Sequence, residues 1–143
     1  MTRELPAAAR AFCAQLGIRF FVTSLGKPDW VVARVHAAGG LVYHDVTEFK
    51  WARIGLDCGA DGLICVNRRA GGHAGQKSMQ QLFEELYELG APLVCAGGIG
   101  ASNEFWHALQ QGYAACQLGT RFIASQECRA STAYKQAIID AGG

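Results

Sequence analysis

The feature that most constrains this chain is the regular alternation of short apolar runs with amphipathic stretches. Runs rich in β-branched and aromatic residues predict five strands, at residues 19–23, 41–43, 62–66, 93–96 and 113–118. Such continuous apolar runs are typical of strands buried on both faces of a parallel sheet. Helices are predicted around them, at residues 5–16, 28–38, 48–58, 78–89, 102–111 and 132–141. The order predicts an α/β fold with right-handed βαβ crossovers.

Composition narrows the class of protein. Half of the 143 residues are hydrophobic, which is enough for one domain with a core. Thirteen Lys and Arg face twelve Asp and Glu, so we expect no nucleic-acid partner. No apolar run approaches the roughly 20 residues that cross a bilayer, and six cysteines without a CxxC pair are typical of small buried hydrophobes in a reducing cytosol. We therefore expect a cytoplasmic protein without a membrane partner or a metal site.

Three glycine-rich segments follow predicted strands, at the strand ends where parallel α/β folds bind ligands. They are Ala-Gly-Gly-His-Ala-Gly at 70–75, Ala-Gly-Gly-Ile-Gly at 96–100 and Gly-Thr at 119–120. The last two follow the final two strands, where a barrel commonly binds phosphate, and glycine lets backbone N–H groups approach the oxygens. Each loop alone could be a simple turn. Together, with the Thr120 hydroxyl as a donor, they predict a phosphate-bearing cofactor.

His73 is the most informative single residue, because it lies in a glycine-flanked loop that has no obvious structural need for an imidazole. An imidazole titrates near neutral pH and can accept a proton from carbon. A solvent-exposed loop histidine is the alternative. His44 and Asp45 follow the second predicted strand and should reach the same end of the sheet, either in an active site or as a structural hydrogen-bonded pair.

Four motifs in a fixed order carry a family resemblance. They are Gly59-Ala60-Asp61-Gly62, Ala70-Gly71-Gly72-His73-x-Gly75, Ala96-Gly97-Gly98-Ile99 and Gln117-x-Gly119-Thr120-Arg121-Phe122. In this order and spacing the chain, from about residue 20 to 127, resembles the nitronate monooxygenases (2-nitropropane dioxygenases) and their flavin enoyl-reductase relatives. Four ordered motifs are much more specific than any one of them.

The resemblance implies a parallel (β/α)8 TIM barrel that binds FMN, with residues 1–143 as a single domain from the C-terminal part of the barrel. In the family the Gly-Gly-Ile and Gly-Thr loops hold the FMN phosphate, and the Ala-Gly-Gly segment passes close to the flavin. The histidine, here His73, abstracts a substrate proton. The cofactor-binding residues carried over to this chain are Ala70, Gly71, Gly72, Gly97, Gly98, Ile99, Gln117, Gly119 and Thr120.

The implied activity is FMN-dependent oxidation of alkyl nitronates or nitroalkanes with molecular oxygen. An NAD(P)H-dependent enoyl-thioester reductase and an inactive flavin-binding fragment stay open as alternatives. Asn67-Arg68-Arg69 replaces the Gly-x-Glu often found before the histidine motif, which leaves the substrate undecided. Aligned by their motifs, the five strands are strands four to eight of the barrel. We therefore expect the missing N-terminal barrel half, or a second copy of the chain, as a partner.

Overall fold

Five parallel strands form one sheet, in which neighbours along the chain are neighbours in space. The computed structural model describes Cys13 and residues 15–141. The strands are β1 (Phe20–Thr23), β2 (Leu41–Val46), β3 (Gly62–Val66), β4 (Leu93–Ala96) and β5 (Ala115–Gln117). Each pairs in parallel with the next in the order β1-β2-β3-β4-β5. This sequential order is the arrangement of consecutive strands in a (β/α)8 barrel.

Four helices connect the strands and cover one face of the sheet: α1 (Asp29–Ala37), α2 (Phe49–Asp57), α3 (Met79–Leu86) and α4 (Ser102–Gln111), with a 3₁₀ turn at Tyr87–Leu89 that extends α3. Two further helices, α5 (Thr120–Ile123) and α6 (Thr132–Asp140), follow β5. The predicted leading helix at 5–16 lies almost entirely outside the described residues. None of the helices in the described part of the chain is long and apolar enough to cross a bilayer.

The core lies between the sheet and the helices. Leu63 and Cys65 of β3 and Cys95 of β4 are fully buried against Leu82 and Leu86 of α3. Their spacing of two along the strands and four along the helix puts each set on one face. Fully burying a leucine side chain stabilises a fold by about 1.5–3 kcal/mol, so this layer holds the sheet in place.

The opposite face of the sheet is open at its first two strands. Phe20, Val22 and Leu41 point away from the helices and remain 52%, 48% and 50% exposed. Large apolar side chains at such exposure form a surface that proteins usually cover. In a closed barrel this face is the packed interior.

Three elements differ from the sequence-based expectation by more than one residue at an end. Strand β5 covers only Ala115–Gln117 of the predicted 113–118, and the other two are β2 and α5. Strand β2 continues to Val46 instead of ending at Tyr43, so His44 and Asp45 lie within the strand. The polar pair interrupts the apolar run, yet β2 pairs with strands on both sides, and this pairing carries its backbone through to Val46. The single-turn helix α5 was not predicted, because four residues carry no helical period.

Candidate active site

A cavity of about 1060 Å³ opens at the carboxyl ends of the strands. The loops that follow β1, β3, β4 and β5 all border it. All ten residues singled out as site residues lie in its wall: Ala70, Gly71, Gly72, His73, Gly97, Gly98, Ile99, Gln117, Gly119 and Thr120. The structure thus brings them together, and their individual roles remain predictions.

The three glycine loops touch one another. A Cβ placed on Gly97 would lie 2.7 Å from the Ala70 amide nitrogen, and one on Gly71 would lie 3.1 Å from the Thr120 hydroxyl. Gly97 also has a φ of +109°, which disfavours any residue with a side chain. Glycine is therefore needed for the loops to approach this closely.

Asn67 clamps two of these loops, a role that the sequence did not reveal. It is 2% exposed, and its Nδ2 donates to the Gly97 carbonyl at 2.8 Å. Its Oδ1 accepts from the Arg69 amide at 2.8 Å. A buried amide that satisfies both its donor and its acceptor fixes the geometry around it. The one available signal was a polar residue directly after an apolar strand.

Unpaired backbone amides line the loops after β4 and β5. Among the described residues, no acceptor receives the amides of Gly98, Ile99 or Gly119. A Cβ on Gly119 would meet nothing within 4 Å, so space for a ligand lies beside it. Amides without partners in a glycine-rich turn suit an anion. These residues therefore fit a phosphate group.

The unpaired amides of Gly98, Ile99 and Gly119 form a cradle for an anion. Helix α4 contributes less to this cradle than its position suggests. The Gly100 and Ala101 amides at its N-terminus donate to Glu104 Oε2 at 2.7 and 3.0 Å. These hydrogen bonds hold the pKa of Glu104 below its usual range, so the carboxylate is ionised at neutral pH. In this loop, the amides left for a phosphate are those of Gly98 and Ile99.

His73 lies in the loop after β3 and is exposed. Within the described part of the chain its imidazole has no hydrogen-bond or ion-pair partner. It borders the cavity. An imidazole without a protein partner at a cavity rim is free to contact a substrate.

His44 and Asp45 point to opposite faces of β2, as alternation along a strand requires. His44 is 1% exposed, and its Nδ1 lies 2.9 Å from the Thr23 hydroxyl. A Cβ on Gly55 of α2 would lie 3.0 Å from the His44 ring, so the ring packs under this helix. Burial lowers the pKa of His44. These contacts favour the structural alternative for His44, which also lies among the residues that border the cavity.

Asp45 borders the cavity from the other face of the strand. Its Oδ1 is buried and has no hydrogen-bond partner in the part of the chain that the structure describes. Burial raises the pKa of Asp45, against a smaller lowering by the Ser24 hydroxyl. A buried oxygen without a partner is rare in proteins and marks a place where a ligand group can bind.

Comparisons with known proteins agree with this geometry. The family model for nitronate monooxygenase matches residues 9–143. The nitronate monooxygenase of Pseudomonas aeruginosa is 33% identical over 117 residues, which are 75% of this chain and 33% of that protein. The (3aS,4S,5R,7aS)-5-hydroxy-7a-methyl-1-oxo-octahydro-1H-indene-4-carboxyl-CoA dehydrogenase of Mycobacterium tuberculosis is 28% identical over 130 residues, 88% of this chain and 37% of that protein.

Solved structures match the fold. FabK from Thermotoga maritima superimposes with a TM-score of 0.80 at 27% identity, covering 95% of this chain and 45% of that one. The nitroalkane oxidase of Streptomyces ansochromogenes gives a TM-score of 0.78 at 30% identity, covering 89% and 40%. The prediction of a partial TIM barrel is thereby confirmed, and the chain spans about a third of the length of the curated relatives it matches. With a family model that matches nearly its whole length, the chain belongs to the nitronate monooxygenase family.

Proposed function

We propose that this chain takes part in FMN-dependent oxidation of alkyl nitronates and nitroalkanes with molecular oxygen. The observation that carries the proposal is the meeting of three glycine loops at one cavity, with unpaired amides on one side and His73 at the rim. Bound FMN supplies the redox chemistry, taking electrons from the substrate and passing them to oxygen. The protein supplies binding, orientation and a base.

In this proposal the FMN phosphate accepts hydrogen bonds from the amides of Gly98, Ile99 and Gly119 and from the Thr120 hydroxyl. Thr120 is exposed to the cavity and touches the loop of Gly71, so its hydroxyl joins the two halves of the cradle. The segment of Ala70, Gly71 and Gly72 passes beside the flavin, because glycines without side chains permit close approach. Gln117, at the end of β5, is exposed on the same side and contacts the cofactor through its amide.

His73 acts on the neutral form of the substrate. Its imidazole accepts the proton from the carbon that bears the nitro group, which leaves the nitronate. A preformed nitronate has no such proton and needs no base. His73 can meet either form because its imidazole has no partner among the described residues.

Reduction of an enoyl thioester with NAD(P)H is the second candidate. The specific support is the Mycobacterium tuberculosis relative, whose name specifies a carboxyl-CoA compound and which aligns over 88% of this chain. The same loops and the same histidine would serve such a substrate. The third candidate, an inactive flavin-binding fragment, keeps the loops without turnover.

Anaerobic mixing separates the three candidates. The FMN-loaded protein is mixed with an alkyl nitronate or with NADH, and the visible flavin absorbance is followed. Bleaching by the nitronate, reversed by oxygen, is the result we expect. Bleaching by NADH favours the thioester reductase, whereas bound flavin that neither reagent bleaches favours the inactive fragment. Failure to bind FMN even at saturating concentration contradicts all three.

We also propose that three further βα units complete the barrel, either within the same polypeptide or from another chain. The exposed Phe20, Val22 and Leu41 on the open face of the sheet support this, because a barrel interior is a packed core. The isolated chain should then associate and bind FMN weakly. Its mass in solution and its FMN affinity test this, and a monodisperse monomer with tight binding and full activity would show the proposal to be wrong.

The thiols favour a reducing compartment, and we place the protein in the cytoplasm on that ground. All six cysteines are free. Cys65 and Cys95 are buried as expected, and burial raises the pKa of each to about 12, whereas the other four are only half-buried. Free, partly accessible thiols persist where glutathione and thioredoxin keep them reduced.

A further inference from the structure

Arg69 stands directly before the Ala-Gly-Gly-His motif, at the position where the family pattern often has a glutamate. Its side chain lies against Gly98. A Cβ placed on Gly98 would be 2.7 Å from Arg69 Cβ, 2.8 Å from Cδ and 2.7 Å from Nε. The guanidinium is therefore beside one of the glycines whose amide faces the cradle.

The negative charge of Glu104 lies close to the cradle, and Arg69 is the residue that offsets it. The carboxylate is ionised and lies at the amides of Gly100 and Ala101, next along the chain from the cradle. An anion bound at Gly98 and Ile99 would be repelled by it. Arg69 Nη2 lies 3.0 Å from Glu104 Oε1, so the guanidinium offsets this charge.

The guanidinium keeps donors for a second acceptor. It has five N–H groups, and its one side-chain partner in the described part of the chain is Glu104. The Arg69 side chain is 59% exposed. It borders the large cavity on one side and a smaller one of about 400 Å³ on the other. Its free donors can therefore reach an anion at Gly98.

We propose that Arg69 binds the phosphate group of FMN, adding a charged contact to the backbone cradle, with Glu104 as the residue that positions its guanidinium. This inference rests on the proposed flavin site but not on the substrate. Arginine suits the task because its planar fork binds phosphate through charge-assisted hydrogen bonds. The contact also discriminates between flavins, since riboflavin lacks the phosphate.

The test compares FMN, riboflavin and inorganic phosphate as probes of the wild-type chain and Arg69→Gln, with dissociation constants from calorimetry. We expect Arg69→Gln to weaken FMN and phosphate roughly 10- to 100-fold and to leave riboflavin unchanged. Arg53→Gln is the matched control, because Arg53 is 54% exposed, pairs with Asp57 on α2 and borders neither cavity. Thermal unfolding checks that each variant folds.

A double variant separates direct binding from charge compensation. If Arg69 only offsets Glu104, Arg69→Gln combined with Glu104→Gln should regain wild-type FMN affinity, which would overturn the proposal. An unchanged FMN affinity in Arg69→Gln, or an equal loss for FMN and riboflavin, overturns it too. If Arg69→Gln loses affinity for FMN and phosphate but not for riboflavin, and the wild-type protein does not turn over a nitronate, the Arg69 contact stands and the proposed substrate is wrong. No binding of any probe to the wild-type chain rejects both.

Discussion

Two aspartates at opposite ends of the same sheet have opposite surroundings. Asp61 lies at the amino end, where its Oδ2 accepts from the Val42 amide at 2.7 Å and lies 2.8 Å from His36 Nε2. Asp45 lies near the carboxyl end, and its buried Oδ1 has no partner among the described residues. Asp61 thus has two partners on one oxygen, whereas Asp45 keeps one buried oxygen without a partner among the described residues.

The pKa values of the two groups follow from this difference. Desolvation alone would raise the pKa of Asp61, but hydrogen bonds from Val42 and His36 lower it overall. For Asp45 desolvation dominates and raises the pKa. Asp61 therefore stabilises the fold, whereas Asp45 is kept at a cost to stability. That division is the one expected of a barrel enzyme, whose chemistry takes place at the carboxyl ends of the strands.

The largest effect that sharpens this comparison is expected for His73→Asn. In the flavin-loaded protein, kcat/KM for a neutral nitroalkane should fall about 10²- to 10⁴-fold, because the base is removed. The value for a preformed nitronate should not change. The free energy of unfolding should stay within about 0.5 kcal/mol, since His73 is exposed and has no partner among the described residues. An equal loss with both substrates would refute the role.

The next effect concerns two glycines with the same left-handed backbone conformation. Gly98 has a φ of +70° and Gly90 a φ of +72°, but only at Gly98 would a Cβ meet a neighbour, the Arg69 side chain. Alanine at either position should destabilise the fold by a similar amount, about 1–2 kcal/mol. FMN affinity should fall roughly 10- to 100-fold in Gly98→Ala alone, because the methyl group displaces Arg69 and narrows the cradle. Equal FMN affinity in both variants would contradict the cradle.

The sequence was sufficient for most of the fold. Strands β3 and β4 were predicted residue for residue, because buried parallel strands are continuous apolar runs bounded by glycine or proline. Strand β2 was predicted three residues short, because His44 and Asp45 interrupt its apolar run. Only the structure shows that the His44 ring packs under α2, and that both residues of the pair lie among those that border the cavity.

The site was predicted in its loops but not in the contacts that hold them. Glycine motifs and His73 are local signals and could be found in one sequence. The clamp from Asn67 to Gly97 joins residues 30 apart, and the ion pair from Arg69 to Glu104 joins residues 35 apart. Neither residue type nor spacing identifies such partners without the sheet that brings them together. The contact of Glu104 with the α4 N-terminus is local and was missed for another reason, because Ala101 stands where a Ser or Thr usually marks a capping box.

At the amino end, Asp61→Ala should lower the free energy of unfolding by about 1–3 kcal/mol, because the buried Val42 amide loses its acceptor. The pKa of Asp61 is lower in the folded state, so this stabilisation is present above the unfolded value of about 3.9 and is lost as the pH falls through the folded value. Denaturant unfolding of both proteins at pH 7 and at pH 3 measures it.

Asp57→Ala is the control for Asp61→Ala. Asp57 forms an exposed pair with Arg53 on α2, and such pairs contribute about 0–1 kcal/mol. Asp57→Ala should therefore lower the free energy of unfolding by less than Asp61→Ala does. If the two variants lose the same stability, the amino end does not carry the stabilising role that the comparison gives it.

The smallest effect, with the opposite sign, is expected for Asp45→Asn. The folded pKa of Asp45 is raised, so the ionised group destabilises the fold above the folded value, and the penalty fades as the pH falls toward the unfolded value of about 3.9. Asparagine keeps the size of the side chain and removes its charge. The free energy of unfolding at pH 7 should therefore rise by up to about 1 kcal/mol, and the two proteins should converge near pH 4. The neighbouring polar groups that act on Asp45 are the Ser24 hydroxyl and His44, and neither changes in the variant. Denaturant unfolding across this pH range measures the difference, and a loss of stability at pH 7 would mean that Asp45 is paired like Asp61, which would remove the contrast between the two ends of the sheet.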